Sequence, residues 1–259
     1  MDPTRTALVT GGCSGIGLAV VLQLADEGWH VVALDRDERA VAALKQRDGI
    51  DASKVRALVL DVTDESAVAE AVEWSSDSAP PIRAIVNSAG IAREVSFNET
   101  TPQLLRQTFD VNLIGTVLVS QAGVKVMRAN GGGAIVNIAS ISGLTGIAGR
   151  TAYGATKSAV INLTKVMALE LAGVGIRVNA IAPGPIDTPL VVELHTKEFR
   201  AEYTSRVPLG RYGTAMDIAH AASFLLDDVR AGYITGQTLT VDGGFTTTGV
   251  TLDVSVGSA

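Results

Sequence analysis

The sequence has few of the features that mark secreted or membrane proteins. One cysteine, Cys13, among 259 residues excludes an internal disulfide framework and is typical of a reducing compartment. No apolar run reaches the roughly 18 residues of a transmembrane helix. Residues 1–6, before the first strand-like run, carry no apolar stretch of the kind found in a signal peptide. We therefore expect a cytoplasmic protein without a membrane partner.

Positive charge and aromatic side chains are also scarce. The 21 basic and 27 acidic residues give a net charge of −6, which argues against a nucleic-acid partner. Aromatic residues make up 4% of the chain and apolar residues 47%, so a sizeable aliphatic core is expected. Linkers, internal repeats and low-complexity tracts are missing, which predicts one domain over residues 1–259.

What the sequence does have is a regular alternation of strand-like and helix-like segments. The strand-like segments are continuous apolar runs, which is typical of parallel strands buried on both faces. The predicted strands are 7–10, 30–34, 55–60, 82–87, 134–139, 176–182 and 237–241. The predicted helices are one between Gly12 and Gly28, then 38–47, 64–74, about 102–127, 151–171 and 218–226. This order predicts an α/β fold, a single doubly wound Rossmann-type domain with a parallel seven-stranded sheet and helices on both faces.

Two stretches fall outside the alternation. Residues 188–206 are charged, aromatic and bounded by proline, and are predicted to form a substrate flap in which His195 is a candidate for facing the substrate. Residues 245–259 are rich in Thr, Ser and Val and fit no element. The three histidines match no metal-ligand spacing, and no Cys/His cluster occurs, so no metal is expected.

A glycine-rich loop, Thr10 to Gly17, stands where the first strand becomes the first helix. Glycines let a backbone approach a pyrophosphate, and a helix N-terminus offers it free N–H groups and partial positive charge. The loop therefore predicts a dinucleotide site. Its candidate residues are Gly11, Cys13, Ser14, Gly15, Ile16 and Gly17. Cys13 is interpreted as a packing residue, because no histidine partner for a nucleophile is evident.

Asp35 ends the second strand about twenty residues after the glycines, where a carboxylate can accept hydrogen bonds from an adenosine ribose. A 2′-phosphate would meet like charge there, and the loop carries no Arg or Lys to offset it. The sequence thus favours NAD over NADP, although Arg36 could reverse the preference. The alternative for Asp35 is a solvated charge at a strand end.

The next two strands also end in candidate cofactor residues. Asp61, followed by Val62, is a candidate contact to the adenine amino group, with a helix N-cap as its alternative. Asn87, Ala89 and Gly90 follow the fourth strand, where small side chains would let a flat cofactor lie against the sheet edge. Such residues are also common in ordinary turns.

Tyr153 and Lys157 lie four residues apart at the start of a predicted helix and therefore share one face. Such a pair is common by chance. Ser140 strengthens the interpretation, because it follows the fifth strand at the sheet edge where open α/β sheets bind ligands.

Taken together, the motifs resemble the short-chain dehydrogenase/reductase family. The matches run in order over nearly the whole chain: the Thr10–Gly17 loop, Asp61, Asn87 to Gly90, Asn112, Ser140, Tyr153 with Lys157, and Pro183-Gly184 with Thr188. One departure is Ser88, where many relatives carry Asn or another small residue. The resemblance implies catalytic Ser140, Tyr153 and Lys157, assisted by Asn112. It also implies nicotinamide contacts from Ile186 and Thr188, beside Pro183 and Gly184.

The resemblance further implies a homotetramer. The two predicted helices at 102–127 and 151–171 are apolar on more than one face. Because the sheet covers only one face of each helix, these helices are the predicted subunit interface.

The chemistry agrees with these roles. A tyrosine with a pKa of about 10 is a poor base at neutral pH, but the Lys157 ammonium and the positive ring of an oxidised nicotinamide both favour the phenolate. The Ser140 hydroxyl is expected to hold the substrate oxygen. Asn112, a poor helix former in mid-helix, is expected to bend the helix and to hold a water that relays protons to Lys157.

The favoured function is an NAD-dependent oxidoreductase that interconverts a secondary alcohol and a ketone. The expected substrate-side lining is mixed in character and suits a neutral alcohol of small to medium size: Ile91, Ala92, Arg93, Ser142, Leu144, Ile147, Arg150 and the flap. One alternative is a 3-oxoacyl-thioester reductase, against which Asp35 and the charge of −6 both count. Another is a non-catalytic dinucleotide-sensing protein, against which the intact catalytic set counts.

Overall fold

The computed structural model describes residues 5–188, 191 and 197–247. A parallel sheet of seven strands, in the order β3-β2-β1-β4-β5-β6-β9, forms its centre. These strands are β1 Thr6–Thr10, β2 His30–Asp35, β3 Val55–Val59, β4 Ile82–Asn87, β5 Gly133–Ile138, β6 Ile176–Pro183 and β9 Thr238–Val241. The predicted doubly wound α/β fold is confirmed.

Helices cover both faces of the sheet. They are α1 Gly15–Asp26, α2 Glu38–Lys45, α3 Glu65–Ser78, α4 Pro102–Phe109, α5 Gly115–Ala129, α6 Thr151–Leu171, α7 Lys197–Ser205 and α8 Ala215–Leu226. In β1, the fully buried Ala7 and Val9 pack with α1, α2 and α8, whereas Leu8 packs with α3, α5 and α6. Successive side chains of one strand thus enter two different cores, which explains the continuous apolar runs.

The strand order reverses beside β1. The chain runs outward from β1 to β3 and then returns to add β4 on the other side of β1. At this point the Thr10 Oγ1 accepts hydrogen bonds from the backbone N–H groups of Ser88 and Ala89, both at 3.1 Å. The loops after β1 and β4 therefore diverge from a common contact, and open α/β sheets bind ligands in the crevice at such a position.

Several details differ from the prediction. The segment predicted as one helix over 102–127 is α4, a π-helical turn at Asp110–Ile114, and α5. A small parallel sheet pairs β7 (Ile186–Asp187) with β8 (Gly213–Thr214), strands too short to show any periodicity. Part of the predicted flap is α7, and the candidate His195 lies outside the described residues, as do 248–259. No helix of the described ranges is long and apolar enough to cross a membrane.

Gly17 provides a test of how tightly α1 packs on the loop before it. A Cβ at Gly17 would lie 2.1 Å from the Gly11 carbonyl oxygen, a backbone atom that cannot move away alone. We expect Gly17→Ala to lower the free energy of unfolding by roughly 1–3 kcal/mol, measured by denaturant titration. Gly173→Ala is the matched control: beyond its chain neighbours and the backbone of its own helical turn, no atom of the described residues lies within 4 Å of the place its Cβ would take, so it should unfold like the parent protein. Equal stability of both variants would contradict this account of the close approach.

Candidate active site

A cavity of about 600 Å³ runs along the carboxyl ends of the strands. It brings together seventeen of the predicted site residues: Gly11, Ser14, Gly15, Ile16, Asp35, Arg36, Asp61, Val62, Ala89, Gly90, Ser140, Tyr153, Lys157, Pro183, Gly184, Ile186 and Thr188. The glycine-rich loop and the Tyr153–Lys157 face of α6 thus line one continuous space.

The glycine-rich loop exposes the N-terminus of α1 to this cavity. Gly11 and Gly15 have φ angles of 62° and 49°, a left-handed backbone that favours glycine. Ser14 occupies the N-cap position of α1, yet its side chain makes no capping hydrogen bond, and no acidic residue lies in the first turn. By contrast, side chains cap α2, α3, α4 and α8. The uncapped end of α1 is suited to an anionic group.

Asp35 borders the cavity and is held by the backbone on both sides. Its Oδ2 accepts a hydrogen bond from the Cys13 N–H at 3.1 Å, and its Oδ1 accepts one from the Asp37 N–H at 3.1 Å. The first bond joins the end of β2 to the glycine-rich loop. The carboxylate is therefore oriented at the position expected for a ribose contact, with the exposed Arg36 beside it.

Asp61 also borders the cavity. Its Oδ1 accepts hydrogen bonds from the Thr63 N–H at 2.9 Å and the Thr63 hydroxyl at 2.7 Å, and these bonds lower the pKa of the carboxyl. The N-cap of α3 is Asp64, which accepts from the Ala67 N–H. The helix-cap alternative for Asp61 is thus wrong.

Four predicted residues do not line the cavity. The Asn87 side chain is buried behind the sheet edge, where its Nδ2 donates to Ser120 at 3.0 Å and to Asn137 at 2.8 Å. Its position at a strand end did not reveal which way the side chain points. Gly17 packs on Gly11. Cys13 is buried, and desolvation raises the pKa of its thiol to about 12. The thiol is therefore unsuited to act as a nucleophile.

Asn112, the fourth, lies in the π-helical turn, and the helix departs from α geometry where the sequence predicts a disturbance. Its side chain accepts from the Ile91 N–H at 2.8 Å and donates to the Ile91 carbonyl at 3.0 Å and to Thr156 at 3.1 Å. Asn112 thus joins the segment after β4 to α6. The proton-relaying water remains a prediction.

The chemical end of the cavity holds Ser140, Tyr153 and Lys157. The Lys157 ammonium is buried, donates a hydrogen bond to the Ile138 carbonyl at 2.7 Å and lies 5.6 Å from the centre of the Tyr153 ring. Desolvation lowers the pKa of Lys157 to about 8. Desolvation also raises the pKa of the Tyr153 phenol, and this rise is opposed by the hydrogen bond with Ser140 and by the charge of Arg150. In the chain alone the pKa of Tyr153 is thus raised, opposite to the lowering expected from Lys157 and an oxidised nicotinamide together.

The substrate side agrees in part with the sequence. Ile91, Ala92, Ser142, Ile147 and Arg150 line the cavity, whereas Arg93 and Leu144 do not. Val191 and Tyr203 of the predicted flap also line the cavity, although neither was named singly, and sequence reasoning missed Val111. The signal for Tyr203 was its place within the predicted flap.

The residues present fit a nicotinamide dinucleotide. The uncapped α1 and its glycines suit a pyrophosphate, and Asp35 and Asp61 suit the donors of an adenosine. Gly90 has no side chain, which leaves room for a flat group near Lys157. A Cβ at this position would fill the space, since it would lie 3.3 Å from Asn112 Oδ1 and 3.5 Å from Lys157 Nζ. Thr188 lies against the glycine-rich loop, with its side chain 3.6 Å from where a Gly15 Cβ would lie.

Comparisons with known proteins agree with this geometry. The family model described as Enoyl-(Acyl carrier protein) reductase matches residues 11–246. The 3-oxoacyl-[acyl-carrier-protein] reductase FabG of Thermotoga maritima is 40% identical over 93% of this chain and 97% of its own. Cis-4-hydroxycyclohexanecarboxylate dehydrogenase of Sinomonas cyclohexanicum is also 40% identical, over 93% of this chain and 96% of its own.

Solved structures give the same picture. The structure titled "ElxO with NADP Bound" superimposes with a TM-score of 0.89 at 33% identity, covering 95% of this chain and all of that one. From the fold, the cavity and these matches, we conclude that the chain belongs to the short-chain dehydrogenase/reductase family of oxidoreductases.

Proposed function

We propose that the protein is an NAD-preferring dehydrogenase that interconverts a secondary alcohol and a ketone. The observation that carries the proposal is the single cavity in which Ser140, Tyr153 and Lys157 share a wall with the glycine-rich loop and Asp35. A hydride-transfer reaction needs a dinucleotide site and a proton-transfer group side by side, and this cavity supplies both.

In this proposal the nicotinamide, when bound, supplies the hydride acceptor or donor. Ser140 holds the substrate oxygen by a hydrogen bond beside the phenol. Tyr153 takes the proton of the alcohol in oxidation and returns it to the carbonyl oxygen in reduction. Lys157, buried and hydrogen-bonded to Ile138, contributes positive charge that favours the phenolate.

The choice between NAD and NADP depends on two opposing observations. The related structure bound to NADP shows that a chain of this fold accommodates a 2′-phosphate. Here, however, two backbone hydrogen bonds hold the Asp35 carboxylate at the cavity wall, where a ribose contact is expected, and it cannot turn away without losing them. A fixed carboxylate would repel a phosphate, which supports NAD as the preferred cofactor.

The relatives also support a second candidate, reduction of a 3-oxoacyl thioester, because FabG and acetoacetyl-CoA reductase are among them. The net charge of −6 counts against docking of an acidic carrier protein. A panel of secondary alcohols and 3-oxoacyl thioesters, each assayed by nicotinamide absorbance with both cofactors, separates the two candidates. Turnover of thioesters alone would overturn the alcohol proposal.

We further propose a homotetramer assembled through the helical segment 102–127 and α6, in the cytoplasm. Apolar side chains lie exposed on α6, Leu169 by 83% and Val166 by 42%, and in the π-helical turn before α5, Ile114 by 45%. A second copy of the chain would remove this surface from water. The cytoplasmic location rests on the single cysteine.

The assembly predicts a sedimentation mass of about four times the 26.8 kDa chain. Leu169→Glu should shift the protein to smaller species, because it would bury an unpaired charge in each interface. Circular dichroism checks that the variant keeps its fold. A monomeric parent protein, or a variant that assembles like the parent, would refute this interface.

Tyr153→Phe should reduce kcat at least about a thousandfold while leaving the dissociation constant for NADH nearly unchanged. The variant loses the hydroxyl that transfers the proton but keeps the ring and its packing. Tyr233→Phe is the matched control, because Tyr233 is fully exposed and lies outside the cavity. Retention of more than a tenth of the parent activity would exclude Tyr153 as the acid/base.

The Asp35 assignment predicts at least a tenfold preference for NAD in kcat/KM, equivalent to about 1.4 kcal/mol. Asp35→Ala should weaken NAD and improve NADP, since the repulsion is lost and Arg36 is left to pair with the phosphate. Asp35→Asn separates charge from geometry, because it keeps an oxygen that can accept from the Cys13 N–H. Asp37→Asn, which removes an equal charge nearby in the cavity wall, is the control. An unchanged cofactor ratio in both Asp35 variants would rule out this residue as the selector.

A further inference from the structure

Arg150 lies at the catalytic end of the cavity without a role in the mechanism above. It occupies the N-cap position of α6, three residues before Tyr153, and its side chain is only 12% exposed. Its guanidinium forms an ion pair with Glu94, and the backbone of its segment joins that of Glu94's segment through a Val95–Arg150 bridge and a 3.0 Å hydrogen bond from Val95 to Gly149. The side chain is therefore held in place.

Two cations lie near the phenol ring of Tyr153. The Arg150 guanidinium carbon and the Lys157 Nζ are each 5.6 Å from the centre of the ring. Lys157 approaches from one turn further along α6, and Arg150 from the turn before it. At this separation in a largely desolvated site, a full charge has a substantial effect on an ionising group.

The two cations are not equivalent. Burial lowers the pKa of Lys157 to about 8 while it raises that of Tyr153, so the state with a phenolate and an ammonium is disfavoured from both sides. An arginine keeps its charge at every working pH. Arg150 can therefore supply positive charge under alkaline conditions in which Lys157 loses its proton.

We infer, building on the proposed function, that Arg150 is a second source of positive charge for the Tyr153 phenolate and that Glu94 sets how much of this charge the phenol senses. Arg150 acts through Tyr153 and is thus a positioning residue. With Glu94 ionised, its negative charge partly cancels the positive potential that Arg150 creates at the phenol. Neutralising Glu94 makes this potential more positive. Removing the guanidinium leaves the Glu94 carboxylate alone, which makes the potential negative.

The other polar and titratable groups near these side chains come from α6, the segment after β5, α7, and the ends of β2 and β3. Lys157 faces the phenol from α6, and Ser140 from the segment after β5 is its hydrogen-bond partner. Tyr203 of α7 senses the charges of Arg150, Glu94 and Arg206. Asp35, Arg36, Asp37 and Asp61 line the part of the same cavity formed by β2 and β3.

The test is a double-mutant cycle read by pH profile. In the oxidation of an alcohol selected from the substrate panel, the apparent pKa of the acid limb of kcat/KM should rise by about half a unit or more in Arg150→Met, roughly a threefold change in proton affinity. It should fall in Glu94→Gln and return toward the parent value in the double variant. Arg150→Lys, which keeps the cation, should stay close to the parent.

Both single variants break the same ion pair, so a merely structural Arg150 predicts equal effects in the same direction. Shifts of the same sign, or no shift, would overturn the inference. A second readout needs no substrate: tyrosinate formation is followed by ultraviolet absorbance as the pH is raised. For each variant, the curve of the same protein carrying Tyr153→Phe is subtracted, which leaves the titration of Tyr153. The pKa of Tyr153 should rise in Arg150→Met and fall in Glu94→Gln. Inactivity of the parent protein on the whole panel counts against the proposed function, whereas an active parent with unshifted profiles counts against Arg150 alone.

Discussion

The contact between the loops after β1 and β4 is the constraint on which the site depends. The Thr10 hydroxyl accepts from two successive N–H groups of the second loop, and a Cβ on Gly11 would lie only 3.0 Å from the Ala89 backbone. Two backbones in contact leave no room for side chains between them. The end of β1 is thereby fixed beside Gly90, and the glycine-rich loop, Asn112 and Lys157 take their positions around this point.

Sequence periodicity and motif order were sufficient to predict the sheet, its helices and most of the cavity wall, because buried parallel strands leave continuous apolar runs and their carboxyl ends meet at one edge. Side-chain direction was harder to predict. Asn87 ends a strand as Asp35 and Asp61 end theirs, yet its amide is turned into a buried network with Ser120 and Asn137. The small β7–β8 sheet depends on a contact between distant segments, which no local pattern records.

Burial of Tyr153 and Lys157 opposes the ionised forms that proton transfer at this site would need. The same desolvation that protects Tyr153 and Lys157 from water favours the neutral form of each. A proton-transfer pair of the kind proposed for Tyr153 and Lys157 needs further groups that favour the ionised state. The Ser140 hydrogen bond and the Arg150 charge both act in that direction, so the wall around the phenol is best understood as a set of coupled groups.

The small sheet between β7 and β8 has a consequence for how such a protein changes over evolution. Ile186 pairs with Gly213 and Asp187 with Thr214, so the segment between them begins and ends at the same place beside the sheet. A segment closed at its base adds little entropic cost when its length changes. Insertions and substitutions there can therefore reshape the part of the cavity wall that Val191 and Tyr203 line, while the seven strands keep their register.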